Sequence, residues 1–89
     1  MDAQRLDLWF FYARLAKSRN LCSNFIEKGT VRLNGQRILK AHSKVRVGDI
    51  LTFPLPSAPM TIKVWQVLKL GNRRGPAPEA MQLYLDIKE

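Results

Sequence analysis

The side chains of this sequence best suited to a chemical role are its lysines and arginines. In the stretch "EKGTVRLNGQRI", the spacing of Lys28, Arg32 and Arg37 predicts that all three point outward from a helix end and a hairpin. A hairpin with a purely structural role does not need an outer face of one charge sign. The chemistry that such a face supports is the binding of anions.

The net charge of the chain is +8, and the excess is concentrated in one segment. Residues 14–46 contain nine basic residues and one acid, whereas residues 47–89 contain five basic residues and four acids. A charged face that only keeps a protein in solution does not require the signs to segregate. The sequence therefore predicts that the partner is a polyanion.

Catalytic and metal-binding chemistry has little material in this sequence. His42 is the one histidine and lies in a predicted loop among lysines, and Cys22 is the one cysteine. The helical spacing of Cys22 beside apolar residues predicts a small core side chain and not a nucleophile. Neither residue has a partner at the spacing of a catalytic pair or a zinc site. We expect no enzyme, no cofactor, no metal and no small-molecule substrate.

The length of 89 residues predicts a single domain over residues 1–89 with one core. No apolar run is long enough to cross a membrane, and charges interrupt the first residues, unlike a secretory signal. A cytoplasmic protein with no membrane partner is expected.

Two helices are predicted to position the basic segment. The first is expected over about residues 3–16, with Asp2 as its N-cap and Asp7 on its polar surface. The second is expected over about residues 19–28, joined to the first by only one or two residues. Its cap is Ser18 and its stop is Gly29. The predicted buried positions are Leu6, Trp9, Phe10 and Ala13 on the first helix, and Leu21, Cys22, Phe25 and Ile26 on the second.

Alternating patterns predict strands in the rest of the chain. Val31 and Leu33 alternate with Arg32, and Asn34–Gly35 is the preferred dipeptide of a two-residue hairpin turn. Further strand signals are Val45 with Val47, residues 50–53, residues 60–70, and residues 83–87 after a helical turn. The proline-rich connector "PLPSAP" is predicted not to continue a central strand. The predicted fold class is α+β, with two short N-terminal helices packed on a small, mostly antiparallel sheet.

Residues 5–53 resemble the S-four RNA-binding domain. The matching parts in chain order are "RLD" at 5–7, "KSR" at 17–19, "GTVRLNG" at 29–35, Lys44, and "VRVGD" at 45–49. The resemblance implies that the two helices form an αL motif and that, with the hairpin, they make an L-shaped platform for structured RNA. It implies a module over about 5–53, followed by a β extension over about 60–89.

The resemblance also implies which residues bind. Ser18 and the first amides of the second helix would form an anion site, where Arg19 can fork onto phosphate oxygens. Asn34 and Gly35 would let backbone amides approach the ribose–phosphate chain. The predicted RNA-binding residues are Arg5, Arg14, Lys17, Ser18, Arg19, Arg32, Asn34, Gly35, Arg37, Lys40 and Lys44.

The segment "NRRGPAPEAMQLYLD" is similar to the part that follows this domain in the heat-shock protein fifteen family. That resemblance implies a small ribosome-associated or heat-shock factor whose partners are structured RNA, either ribosomal or transfer RNA, and the large ribosomal subunit carrying a peptidyl-tRNA.

Three alternatives are open at this point. A helix-turn-helix DNA-binding protein would also have two short helices in sequence. A membrane-surface protein would use "WFFY" and the positive charge. An accessory domain would contact ribosomal protein without touching RNA.

Overall fold

A computed structural model describes residues 2–88, so Met1 and Glu89, the two ends of the predicted domain, lie outside the described residues. The chain has the predicted α+β fold. Its elements are β1 (Gln4–Arg5), α1 (Leu6–Tyr12), α2 (Arg19–Glu27), β2 (Arg32–Leu33), β3 (Gln36–Arg37), β4 (Lys44–Val45), β5 (Ile50–Leu55), β6 (Ala58–Val67), α3 (Ala77–Ala80), a 3-10 turn (Met81–Leu83) and β7 (Tyr84–Asp86).

Five strands form one antiparallel sheet in the order β3-β2-β5-β6-β7. The β2–β3 hairpin therefore lies at one edge of the sheet and β7 at the other. The strands β1 and β4 pair with each other outside this sheet. The segment before β4 also holds the start of α1, because the amide of Leu6 donates to the carbonyl of Ser43 at 2.8 Å.

The core between α1 and the sheet is aromatic. Trp9 and Phe10 are fully buried, as predicted. The Trp9 ring packs edge-on against Trp65 at 6.2 Å, and Trp65 stacks on Tyr84 with ring centroids 3.6 Å apart. The indole Nε1 of Trp9 donates to the carbonyl of Lys69 at 2.9 Å. These contacts pack the C-terminal strands onto the first helix, and such aromatic side chains contribute much of the apolar area in a small core.

The first helix is shorter than predicted, and Asp2 is not its cap. The N-cap is Arg5, which makes no side-chain capping bond, because residues 4 and 5 pair with β4 instead of continuing the helix. The connection to α2 covers residues 13–18 and not one or two residues. Within it, Arg14 has the left-handed φ of 63°, which is uncommon outside glycine.

The second helix begins and ends as predicted. The Ser18 hydroxyl oxygen accepts a hydrogen bond from the amide of Leu21 at 3.2 Å, and Gly29 follows the helix with a φ of +80°. Cys22 and Ile26 are fully buried, one turn apart. The prediction that Leu21 is buried is wrong, since half of it is exposed: this nine-residue helix packs only a narrow face on its neighbours.

The structure corrects several details of the strand prediction. The strand predicted over residues 60–70 is β6, which runs from Ala58 to Val67 and includes Pro59 of the connector. Pro54 lies inside β5 and is paired with Ile62, although the connector was expected to break the strand. Proline is tolerated there because β2 pairs with β5 only at Leu51 and Thr52, so Pro54 lies where β5 has an open side. Val47 is exposed in a turn and does not extend β4 inward.

Asp7 is a buried carboxylate at the joint between the helices, and its prediction as a surface residue is wrong. It accepts hydrogen bonds from Arg5 at 2.9 and 3.2 Å, from the Leu8 amide at 2.8 Å and from the Ser23 hydroxyl at 3.1 Å. Arg19 lies 3.6 Å away as an ion pair. Burial by itself raises the pKa of Asp7, but these donors and charges outweigh burial and hold its pKa below the ordinary value.

The substitution Asp7→Asn is expected to lower the free energy of unfolding by about 1–3 kcal/mol near neutral pH, because it removes the charge that Arg5 and Arg19 face. Since the folded pKa of Asp7 is lowered, its stabilisation is complete above the unfolded pKa of about 3.9 and is lost as the pH falls through the folded value. Urea unfolding of both proteins at several pH values measures this. A wild-type advantage that stays constant down to about pH 2 would contradict the electrostatic explanation.

Gly29 and Gly35 provide a matched pair for a second test. Both have left-handed backbones, with φ of +80° and +85°. A Cβ at Gly29 would lie 2.5 Å from the guanidinium of Arg37, whereas nothing lies within 4 Å of one at Gly35. Each change to alanine is expected to cost about 1–2 kcal/mol of backbone strain. Gly29→Ala is expected to cost more, because Arg37 and also Leu39, whose Cδ2 would lie 2.8 Å from the Cβ, must move. Thermal unfolding of the two variants compares them, and equal losses would show that both side chains move freely.

Candidate nucleic-acid interface

One group of predicted binding residues surrounds Asp7 at the N-terminal end of α2. The guanidinium groups of Arg5 and Arg19 both approach its carboxylate, yet their side chains remain 46% and 45% exposed. Lys44 lies directly opposite Arg5 in the β1–β4 pair and is exposed. Three cations therefore face solvent around one buried acid, so this corner of the molecule has an excess of positive charge.

Ser18 has a structural task at the same corner. Its oxygen is occupied by the Leu21 amide, which fixes the start of α2, while its hydroxyl hydrogen can still be donated to a ligand. The first turn of α2 contains no acidic residue, so no side chain of that turn offsets the positive end of the helix dipole.

A second group lies on the hairpin, beyond the C-terminal end of α2. Arg32 and Arg37 are directly opposite in the β2–β3 pair, and both are exposed. Like charges in this arrangement repel each other. Arg37 is held in place because its Nε donates to the carbonyl of Gly29 at 2.9 Å, at the end of the helix. Neither arginine has an ion pair with any residue between 2 and 88.

The hairpin turn has the predicted geometry, with Asn34 and Gly35 both left-handed. The side chain of Asn34 links the hairpin turn to the start of β5. Its Nδ2 donates to Asp49 at 3.2 Å, and its Oδ1 accepts from the amide of Ile50 at 2.9 Å. At Gly35 the space around the backbone is open. Close approach by a ligand backbone is therefore possible at Gly35, while the Asn34 side chain is already engaged.

The other predicted residues divide into two kinds. Lys17 and Lys40 are exposed in connecting segments, and their side chains make no hydrogen bond with the described part of the chain. Arg14 is also exposed, but its Nη1 donates to the carbonyl of Gly75 at 3.0 Å. Arg14 is part of the helix connection and binds the C-terminal loop, and within residues 2–88 no hydrogen bond or ion pair joins its side chain to the Asp7 or hairpin groups.

The helix α2 sets the distance between the two main groups. Its nine residues give a length of about 14 Å. Exposed side chains of Asn20, Asn24 and Lys28 lie between the ends, and Glu27 is the one acid on this helix. The arrangement is suited to an extended anion with charges spaced over that length.

Sequence reasoning missed Asp7, the residue that assembles the first group, and its hydroxyl donor Ser23. A signal was present, because Asp7 precedes the buried Phe10 by three residues and so belongs to the same helical stripe. Arg46 was counted in the basic segment but not as a site residue, and it is exposed.

His42 and Cys22, the two residues with potentially reactive side chains, lie in different environments. His42 is exposed, and burial raises the pKa of the Cys22 thiol to about 11, so the thiol is neutral near pH 7. Within residues 2–88, no three His, Cys, Asp or Glu side chains are arranged to hold a metal ion. None of the helices described is both long enough and apolar enough to cross a membrane.

Comparisons with known proteins identify the family of this chain. The family model of the S4 domain, the S-four module, matches residues 4–51. A heat shock protein 15 homolog of Haemophilus influenzae is 38% identical over 80 residues, which cover 90% of this chain and 58% of that protein. Heat shock protein 15 of Escherichia coli K12 is 36% identical over 85 residues, covering 96% and 61%. This chain thus spans about three fifths of the length of these relatives.

A solved structure extends the agreement to the fold. A trimeric structure of Vibrio cholerae heat shock protein 15 superposes on this chain with a TM-score of 0.86 at 36% identity, covering 97% of this chain and 83% of that one. Residues 4–51, which the S4 domain model matches, contain α1, α2 and the hairpin, and these elements carry the two cationic groups. This chain belongs to the S4 domain family, in the group of heat shock protein 15 and its homologs.

Proposed function

We propose that this protein binds structured RNA with a platform formed by α1, α2 and the β2–β3 hairpin. The observation that carries the proposal is the pair of exposed cationic groups at the two ends of α2, with Arg5 and Arg19 at one end and Arg32 and Arg37 at the other. The acid nearest to the first group, Asp7, is buried and does not face a ligand. Membership of the S4 domain family supports the same surface.

The platform is expected to recognise the shape and phosphates of RNA more than its sequence. Arginine forks match phosphate oxygens, and the grooves of A-form RNA offer side chains little base information. The open backbone at Gly35 suits a close approach of ribose and phosphate. If about five phosphates are neutralised, log affinity falls against log salt with a slope of about −3 to −5.

The RNA that we propose is ribosomal RNA of the large subunit, with transfer RNA bound there as a second contact. This finer assignment is supported by the similarity to heat shock protein 15 and its homologs over most of this chain. The platform is cationic and several of its arginines are anchored by hydrogen bonds or ion pairs, which suits a docking surface on a folded RNA. Co-sedimentation with separated ribosomal subunits, with and without nuclease treatment, tests the assignment. Sedimentation that survives nuclease would favour a contact with ribosomal protein.

Duplex DNA is a weaker candidate for this surface. A helix-turn-helix protein joins its helices with a turn of about 3–4 residues and leaves the second helix free to enter a groove. Here the connection covers residues 13–18, and α2 is bound at its start through Asp7 and at its end through Arg37. Structured RNA is therefore expected to compete with the labelled RNA at least about tenfold better than duplex DNA of equal length. Equal competition in fluorescence anisotropy would reopen the DNA assignment.

Arg19→Gln and Arg32→Gln are each expected to weaken binding of a structured RNA by about threefold to tenfold and to flatten the salt slope by about one unit. Each change removes one phosphate contact. Glutamine is chosen because a glutamate at position 19 would face the buried Asp7. Fluorescence anisotropy at several salt concentrations measures both quantities, and circular dichroism checks the fold.

The matched control is Lys88→Gln, which removes the same charge beyond β7, at the sheet edge opposite the hairpin. Lys63 is less suitable because it is paired with Asp86 at 3.2 Å. The control is expected to change affinity by less than about twofold. A loss as large as that of Arg19→Gln would mean that binding follows net charge alone, and the platform assignment would be wrong.

A further inference from the structure

The loop that follows β6, residues 71–75, lies against the connection between α1 and α2. Two contacts hold it there. Arg14 donates from its Nη1 to the carbonyl of Gly75 at 3.0 Å, and the guanidinium carbon of Arg74 lies 5.3 Å from the centre of the Phe11 ring. The second distance is that of a cation–π contact. This loop, from the C-terminal part of the chain, thus places the positive charge of Arg74 against α1, one of the two platform helices.

The loop is connected to the helix pair through α1 and the helix connection. Phe11, which contacts the Arg74 guanidinium, belongs to α1, and Arg14 belongs to the segment that joins α1 to α2. The helices α1 and α2 pack against each other. The charge of Arg74 also partly offsets the effect of burial on the pKa of the Cys22 thiol in α2, in agreement with this placement. The loop therefore lies on the helix pair that forms the platform, although more than fifty positions separate Arg74 from Arg19 in the chain.

No acid compensates Arg74 within residues 2–88. Its neighbour Arg73 is paired with both oxygens of Glu79, at 3.1 and 2.7 Å. Within residues 2–88, Arg74 has no ion pair, and its Nε is a buried donor without a hydrogen-bond partner. The Nε itself is closed to solvent, but Arg74 as a whole is partly exposed, so an external acceptor would bind through its Nη groups.

We propose that Arg74, together with Arg14, forms a second phosphate-binding patch that extends the RNA-binding platform onto the C-terminal loop. This inference rests on the proposed function, because the ligand is the phosphate backbone of the same structured RNA. The cation–π contact with Phe11 restrains the Arg74 guanidinium, which reduces the entropy lost when its Nη groups fork onto phosphate oxygens. Arg14 is exposed, so its remaining N–H groups can join the same contact.

The first test uses the unmodified protein and nuclear magnetic resonance. At 89 residues, the chain allows the backbone amides and the arginine Nε–H groups to be followed while a structured RNA hairpin is added. The Nε–H signal of Arg74 and the amides of Asn72 and Gly75 are expected to shift together with those of Arg19 and Gly35. If the platform signals shift and the loop signals do not, the inference is wrong and the proposed function stands. If none shift, the proposed function itself fails.

The second test compares two neighbouring arginines. Arg74→Gln is expected to weaken RNA binding by about threefold to tenfold and to flatten the salt slope by about one unit. Arg73→Gln removes the same charge from the same loop, but from a residue paired with Glu79, and is expected to change affinity by less than about twofold. Arg74→Lys should restore part of the loss, because lysine keeps the charge without the fork.

The outcomes separate a binding role from a structural one. Equal losses for Arg73→Gln and Arg74→Gln would overturn the inference in favour of a general charge effect. If a folded Arg74→Gln protein binds RNA with full affinity while Arg19→Gln is still impaired, the inference about Arg74 is overturned and the proposed function stands. Thermal unfolding identifies a variant that fails to fold, in which case the resonance experiment on the unmodified protein decides.

Discussion

The structure depends on one buried carboxylate. Asp7 lies in α1, is 2% exposed, and binds Arg5 before the helix, Ser23 within α2 and Arg19 at the start of α2. Burying an unpaired charge would be strongly unfavourable, so the two helices can pack with Asp7 inside only when these donors are in place. The same requirement holds the two arginines on the surface in defined positions. The contacts of Asp7 therefore both hold the two helices together and fix the positions of the surface cations Arg5 and Arg19.

Cations that are already held lose less conformational freedom when they bind. A free arginine side chain loses rotamer entropy on meeting a phosphate, whereas Arg19 and Arg37 are each restrained beforehand, by Asp7 and by the carbonyl of Gly29. The crowding at Gly29 has the same basis, since only a residue without a Cβ lets Arg37 reach the end of α2. The two ends of α2 thus use different anchors for the same purpose.

Local signals made much of this fold predictable. The cap at Ser18, the stop at Gly29 and the turn at Asn34–Gly35 each depend on residues within a few positions of each other, and all three are confirmed. The sequence could not show contacts between distant segments. The β1–β4 pair shortens α1, and the open side of β5 admits Pro54. Of the predicted site residues, only Ser18 is half-buried and the others are exposed. Their partners, such as Asp7 for Arg19 and the Gly29 carbonyl for Arg37, come from other elements and could not be read from local patterns.

The anchored basic residues of this protein differ in how much of their charge is compensated. Lys63 and Arg73 are each paired with one acid, Asp86 and Glu79, so each pair is neutral as a unit. Arg37 and Arg14 are anchored instead on backbone carbonyls, which fix the side chain and leave its full charge uncompensated. Asp7 serves two arginines with one negative charge, so that group also keeps a net positive charge. A surface that binds a polyanion needs ordered cations, but pairing each cation with its own acid would cancel the field that attracts the ligand. Anchoring the cations on backbone carbonyls, or several of them on one shared acid, orders them and keeps a net positive charge.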